Sequence, residues 1–275
     1  MNLLYINWDV APEIINILGF SIKYYGLLFM TGLLLCYFIL RKIYKRENLS
    51  SQAHEAIIVY GIVGILLGAR LGHCLFYDFD YYSKNPLEIL LPIQKGSDGS
   101  YHFAGIAGLA SHGGTVGLII AMMLYSKKYS IGLLKIFDLI AIVAPLGGAF
   151  IRLSNLMNSE MIGVPTNLPW AFIFKRVDSI PRHPAQLYEA ISYFIIFFIL
   201  LLLYRRHTVK IGNGFYFGLS IFLIFTMRIL IEFLKIDQVE FEKGMVLNMG
   251  QILSIPFIIL GLFFTLKGWM RKHTI

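Results

Sequence analysis

This 275-residue chain is poor in charge: Asp, Glu, Lys and Arg make up 15% of it, against roughly a quarter in soluble globular proteins. It has two cysteines, Cys36 and Cys74, both inside apolar segments. That leaves no disulfide framework and no metal-ligand spacing, so the cysteines read as packing thiols. No P-loop, dinucleotide-binding glycine fingerprint, zinc motif or nucleophile elbow occurs, nor any internal repeat or low-complexity stretch. The first 20 residues carry Asp9 and Glu13 and no basic run. A cleavable signal peptide is therefore not expected, and the first apolar segment reads as a retained anchor.

Hydrocarbon takes the place of charge. Hydrophobic residues make up 57% of the chain and its mean hydropathy is +0.69. About seven apolar segments can be drawn, over residues 18–40, 56–77, 103–125, 133–153, 185–204, 213–234 and 248–267. Each is long enough to cross or nearly cross a bilayer core. The expectation is an all-α polytopic membrane protein, one integral membrane domain over residues 1–275. Loops 78–102 and 154–189 are too long for simple connectors and should build a small extracytoplasmic head. The net charge of +8 gathers in short loops, which makes it a topology signal and a headgroup contact rather than a nucleic-acid surface. Thirteen Lys and Arg, around Arg41, Lys127, Arg205 and Lys267, face eight on the opposite loops, which also hold Asp78, Asp80, Glu88, Asp98, Asp178, Asp237, Glu240 and Glu242. The bias puts the N-terminus outside and the C-terminus in the cytoplasm.

Against this background, polar residues at membrane depth stand out. Arg152-Leu-Ser-Asn155-Leu-Met-Asn158-Ser-Glu160 continues directly from an uncharged apolar stretch, and such groups are costly there unless they serve a site. Arg152, Asn155 and Ser159 follow i, i+3 and i+7 and could share a helix face. Arg228 and Glu232 are spaced i, i+4 and could simply pair with each other. Function becomes the better reading because Arg152 should lie at a similar depth, and two arginines at one level can clamp a phosphodiester.

Other motifs are weaker alone. Ser111-His112-Gly113-Gly114 allows close backbone approach beside a titratable imidazole, though a helix-packing stretch would look the same. Gly68-Ala-Arg70-Leu-Gly72-His73 fits an interfacial anchor, with His73 structural. His183-Pro184-Ala-Gln186-Leu-Tyr188-Glu189 suits a helix entry, and Tyr24-Tyr25-Gly26 an aromatic belt. Together they place Arg70, Arg152, Arg228, Glu160, Glu232, His183 and His112 toward the outer leaflet, as a charged cavity.

In this order, Tyr25-Gly26, Gly68-x-Arg70-x-Gly72, His112-Gly-Gly, Arg152-x-x-Asn-x-x-Asn-x-Glu160, His183-Pro-x-Gln-x-Tyr-Glu189, Arg228-x-x-x-Glu-Phe and Met249-Gly-Gln251 resemble the prolipoprotein diacylglyceryl transferase family. The resemblance implies a bacterial inner-membrane enzyme, and one chain carrying a complete set of these residues points to function as a monomer. It would transfer the diacylglyceryl group of phosphatidylglycerol to the lipobox cysteine of a prolipoprotein, the first step of lipoprotein maturation. It also implies catalytic roles for His112, Arg152, Arg228, Glu160 and Glu232, and no metal or organic cofactor. Substrate contacts would come from Arg152, Asn155, Asn158, Tyr25, Gly113 and Arg70. Four positions depart from the family pattern: Leu156 for Phe, Ser154 and Ser159 for glycines, and Ile224 for a tyrosine one turn before Arg228. The residues alone, without the resemblance, establish an outer-leaflet anion site, which a transporter or a membrane-bound hydrolase would also show.

Overall fold

The computed structural model describes residues 5–17, 20–91, 93–96, 100–103, 108–206, 209–236 and 247–270. In chain order its elements are β1 (Ile6–Trp8), β2 (Glu13–Ile17), β3 (Phe20–Lys23), α1 (Tyr24–Arg46), α2 (Ser51–Phe76), α3 (Phe79–Lys84), α4 (Leu87–Leu90), β4 (Ile93–Lys95) and β5 (Tyr101–Phe103). They continue with α5 (Ser111–Tyr129), α6 (Leu133–Met157), β6 (Phe172–Phe174), β7 (Pro181–Arg182), α7 (Ala185–Arg205), α8 (Phe215–Glu232) and α9 (Met249–Met270). Among the described residues six helices, α1, α2, α6, α7, α8 and α9, are long and apolar enough to cross a bilayer. A helix is the form in which such a segment satisfies every backbone group without water. The polytopic all-α architecture is therefore present.

The segment expected over 103–125 differs most. Its helix α5 starts only at Ser111, with β5 ending at Phe103, and it is not among the six. Two glycines, a histidine and a threonine occupy its first turns, which shortens the apolar run. Likewise the first expected segment opens as strand β3 and becomes helical at Tyr24. The loop charges at Asp98, Asp237, Glu240, Glu242, Lys243, Arg271 and Lys272 lie outside the described residues.

The chain divides into two compact units, residues 1–43 with 137–275, and residues 44–136. In the first, β1 pairs in parallel with β6, and β6 antiparallel with β7, in register Ile6↔Phe172 and Phe172↔Arg182. This small sheet buries Phe172 and Phe174 against Leu156 at the end of α6, with Trp8, Ile162 and Leu187 around them. Trp8 Nε1 donates to the Leu156 carbonyl at 3.0 Å, so the N-terminal strand braces the end of the helix that carries Arg152. At the opposite end of α6, the fully buried Asp138 accepts backbone N–H bonds from Gly212, Gly214 and Phe217 at 2.8, 3.0 and 2.9 Å. A carboxylate from one helix thus caps the first turn of another, α8, whose own flanking residues are glycines.

In the second unit α2 and α5 pack backbone to backbone. A Cβ on Gly68 would lie 2.4 Å from the Gly113 carbonyl oxygen, and one on Gly113 2.3 Å from that of Gly68. The two glycine motifs therefore form one seam. At its far end the buried hydroxyls of Tyr44 and Tyr125 meet at 3.1 Å, and Tyr125 donates to the Ala53 carbonyl at 2.9 Å.

Candidate active site

In the first unit, α6 carries Arg152 and Asn155 on its last turns. The helix then closes by a Schellman turn, Ser159 N–H to the Leu156 carbonyl and Glu160 N–H to the Asn155 carbonyl, both at 3.0 Å. Ser159 sits at the left-handed position of that turn, φ +56°, a conformation glycine adopts at no steric cost. It lies beyond the helix end, so the face expected to combine Arg152, Asn155 and Ser159 is not a helical one. Instead the turn brings Glu160 back over the helix. Asn155 Nδ2 donates to one of its carboxylate oxygens at 3.0 Å and Asn158 Nδ2 to the other at 2.9 Å. The expected substrate amides thus hold a carboxylate in place. Tyr25 is at the same level: its carbonyl accepts from Ser154 Oγ at 3.3 Å, while Ser154 also bonds Phe150 one turn back.

Arg152 does not stand alone. Its Nε lies 3.0 Å from Glu189 Oε2 on α7. The other oxygen of Glu189 accepts from Lys235 Nζ at 2.9 Å, and Lys235 also bonds Glu232 Oε2 at 3.1 Å. Glu189 is fully buried, and Lys235 and Glu232 are 6% and 7% exposed. The result is an alternating chain, Arg152–Glu189–Lys235–Glu232, joining α6, α7 and α8. Two cations and two carboxylates make it neutral. Its far end is held by the start of α9, where Asn248 and Gln251 form a reciprocal capping box at 2.9 and 3.0 Å and Asn248 Nδ2 reaches Glu232 Oε1 at 3.5 Å.

Lys235 reaches α7 because its backbone is clamped. Gly163 donates to the His183 carbonyl at 2.9 Å while Val164 donates to that of Leu234 at 2.9 Å. A Cβ on Gly163 would fall 2.5 Å from the Leu234 oxygen and 2.6 Å from His183 Cβ, so only glycine passes between these two strands of chain. The His183 motif is fixed from outside as well: Tyr188 Oη meets His183 Nδ1 at 3.2 Å and accepts from Trp170 Nε1 at 2.9 Å. Burial holds the His183 imidazole below its usual pKa.

Arg228 is the exception. The pair expected with Glu232 does not form, since Glu232 is taken by Lys235, and among the described residues Arg228 makes no ion pair. Its Nε is buried without a hydrogen-bond partner. Tyr193 on α7 lies within electrostatic reach of Arg228, Arg152 and Glu189 and hydrogen-bonds Arg152. Sequence reading missed Glu189, Lys235 and Tyr193. The available signal was Gln186, Glu189 and Tyr193 at i, i+3 and i+7, a polar stripe on an otherwise apolar helix.

The remaining candidates belong to the second unit. Arg70 is buried and occupied: Nε donates to the Ile89 carbonyl at 2.9 Å, another nitrogen donates to that of Glu88, and the guanidinium lies 4.8 Å from the Tyr82 ring centroid. It therefore anchors the α3–α4 segment. Gly113 belongs to the α2–α5 seam. His112 is exposed in the first turn of α5 and lines a groove of about 1040 Å³ whose other walls include Val63, Leu67, Leu71, Val116 and Ile120. Among the described residues no group of three or more His, Cys, Asp or Glu could hold a metal.

Apolar spans joined by a chain of ion pairs, with an arginine that among the described residues has no acid partner, define a polytopic membrane protein with a charged site. The family model for prolipoprotein diacylglyceryl transferase matches residues 12–267. The phosphatidylglycerol–prolipoprotein diacylglyceryl transferase of Bacteroides fragilis is 50% identical over 262 residues, covering 95% of each chain. Those of Tolumonas auensis and Chloroherpeton thalassium are each 40% identical, over 96% and 94% of this chain and 98% and 92% of theirs. The chain belongs to the prolipoprotein diacylglyceryl transferase family.

Proposed function

We infer that this protein transfers the diacylglyceryl group of phosphatidylglycerol to the lipobox cysteine of prolipoproteins. The relatives' names support the two substrates. The observation that carries the reading is Arg228, half-buried, with its Nε buried and unpartnered, and among the described residues outside the neutral chain of ion pairs. One phosphodiester would supply the missing negative charge. Arg152, oriented at its Nε by Glu189 and hydrogen-bonded to Tyr193, would share the same phosphate through its guanidinium, and bidentate contacts suit that anion.

The cysteine thiol loses its proton and its sulfur attacks the glycerol carbon that bears the phosphate. A C–S bond forms, the C–O bond to phosphate breaks, and glycerol phosphate leaves with the electron pair. Charge grows on the departing phosphate oxygen, and the guanidiniums of Arg152 and Arg228 stabilise it. His112 takes the thiol proton. Glu160, with Asn155 and Asn158 holding it, and Tyr25 beside that turn position the lipid, and Glu232 serves by fixing Lys235. The enzyme lies in the bacterial inner membrane with the N-terminus outside and the C-terminus in the cytoplasm, which the loop-charge bias supports. It works as a monomer, since one chain holds all these groups.

The test is purified protein with phosphatidylglycerol and a lipobox peptide, read by mass spectrometry. A diacylglyceryl adduct on cysteine, lost when that cysteine is serine, is the expected result. Bound lipid without any adduct would overturn the reading in favour of a lipid transporter.

A further inference from the structure

Gln186 is fully buried in the first turn of α7, and neither its Nε2 nor its Oε1 has a protein partner among the described residues. Native proteins rarely bury both ends of an amide this way without a use for them. Its neighbours on the same helix face are engaged. Glu189, three residues on, holds Arg152 and Lys235, and Tyr193 meets Arg152 under the charge of Arg228. Gln186 therefore sits about 4.5 Å along the helix axis from the residue that orients Arg152. Arg228 Nε is likewise buried and unpartnered.

A ligand suited to this arrangement presents an anion to the arginines. One helical turn away it presents a group that both donates and accepts hydrogen bonds. A primary amide is matched by a vicinal diol: Nε2–H donates to one hydroxyl oxygen, and the other hydroxyl donates to Oε1. An ethanolamine head offers only donors, leaving Nε2 unsatisfied, and a bare phosphate offers no group at that distance. We propose that Gln186 is a specificity-determining residue that reads the diol of the donor lipid's glycerol headgroup. This rests on the reading of phosphatidylglycerol as donor. It adds a division of labour: the arginines recognise any phosphodiester, and Gln186 selects among headgroups.

The test offers the full-length protein two donors at once, phosphatidylglycerol and phosphatidylpropanol, with acyl chains of different mass and a lipobox peptide. Phosphatidylpropanol has the same three-carbon head without hydroxyls. Both yield a diacylglyceryl thioether, so the mass ratio of peptide adducts reads donor preference. The wild type is expected to favour phosphatidylglycerol by about 10- to 100-fold, because a site built to hydrogen-bond a hydroxyl rejects the analogue lacking it. Gln186→Met should bring the ratio near one, chiefly through a higher KM for phosphatidylglycerol. Equal use of both donors by the wild type overturns the proposal without any variant. So does a Gln186→Met or Gln186→Glu protein that keeps the wild-type ratio. No adduct from either donor would instead remove the transferase reading on which the proposal stands.

Discussion

Arg152 and Arg228 share a charge and differ in their surroundings, and that difference separates what their loss does. Removing Arg152 leaves the buried Glu189 with Lys235 alone, whereas removing Arg228 strands no carboxylate. Arg228→Ala is thus expected to lower turnover by at least about 10²-fold, the scale of one lost electrostatic contact to developing charge, while its melting temperature stays at or above wild type. Arg152→Ala should lose both activity and stability, read by adduct formation and by thermal melting in detergent. His112→Ala should be milder, since a general base contributes roughly 10²–10⁴-fold and lipid binding survives its loss. Lys235→Met leaves two buried carboxylates facing each other's helices and should cost about 3–5 kcal/mol of stability. Both arginines were legible in the sequence because charge at membrane depth is conspicuous. Lys235 was not, because directly after an apolar run it counts as one more loop cation. Glu189 was hidden for the converse reason, since it completes a motif that also makes a sound helix entry.

At the scale of elements, the least legible devices are those in which one segment completes another. Asp138 lies within α6 with no sequence neighbour to explain it, and the structure gives it the first turn of α8 to cap. Asp138→Ala should loosen that turn at a cost of about 2 kcal/mol or more, seen as faster amide exchange at the N-terminal end of α8. Gly163 was equally silent, because its need for close approach arises from two distant stretches meeting beside it. The glycine motifs of α2 and α5 were read individually, and only their register, Gly68 against Gly113, shows that they are one seam. Outside the spans, acid acts on the segment between α6 and α7. Asp178 is held below the usual carboxylate range by Arg182, so its contribution is complete above about pH 3.9 and is lost as pH falls through its lower folded value. His183 is also depressed, by burial. Its neutral form is favoured on folding, and the stability it brings is complete above about pH 6.5 and lost as pH falls below that. Protease cutting within residues 158–184 is expected to rise on acidification, with the step nearer neutrality absent in His183→Gln.

For the molecule as a whole, hydropathy revealed the class of fold and left the number of crossings open. Periodic hydrocarbon is visible in any window of the sequence, whereas the start of a helix such as α5 is decided by a few polar and glycine residues. The short strands around β1 and β6 were invisible for a related reason: three residues carry no periodicity, and their pairing spans most of the chain. Loop charge predicts termini on opposite sides of the membrane. Cysteines placed near each end should react with an impermeant maleimide only at the N-terminus in intact cells.

The alternating chain from Arg152 to Glu232 also bears on how the protein is made. Helices leave the ribosome in order, and α6 enters the bilayer carrying a guanidinium whose carboxylate is still unsynthesised on α7. That carboxylate in turn meets its ammonium only after α8 has been completed. Neither α6 nor α7 brings its own counter-charge, so each is expected to insert less efficiently in a chain truncated before α8 than in the full chain.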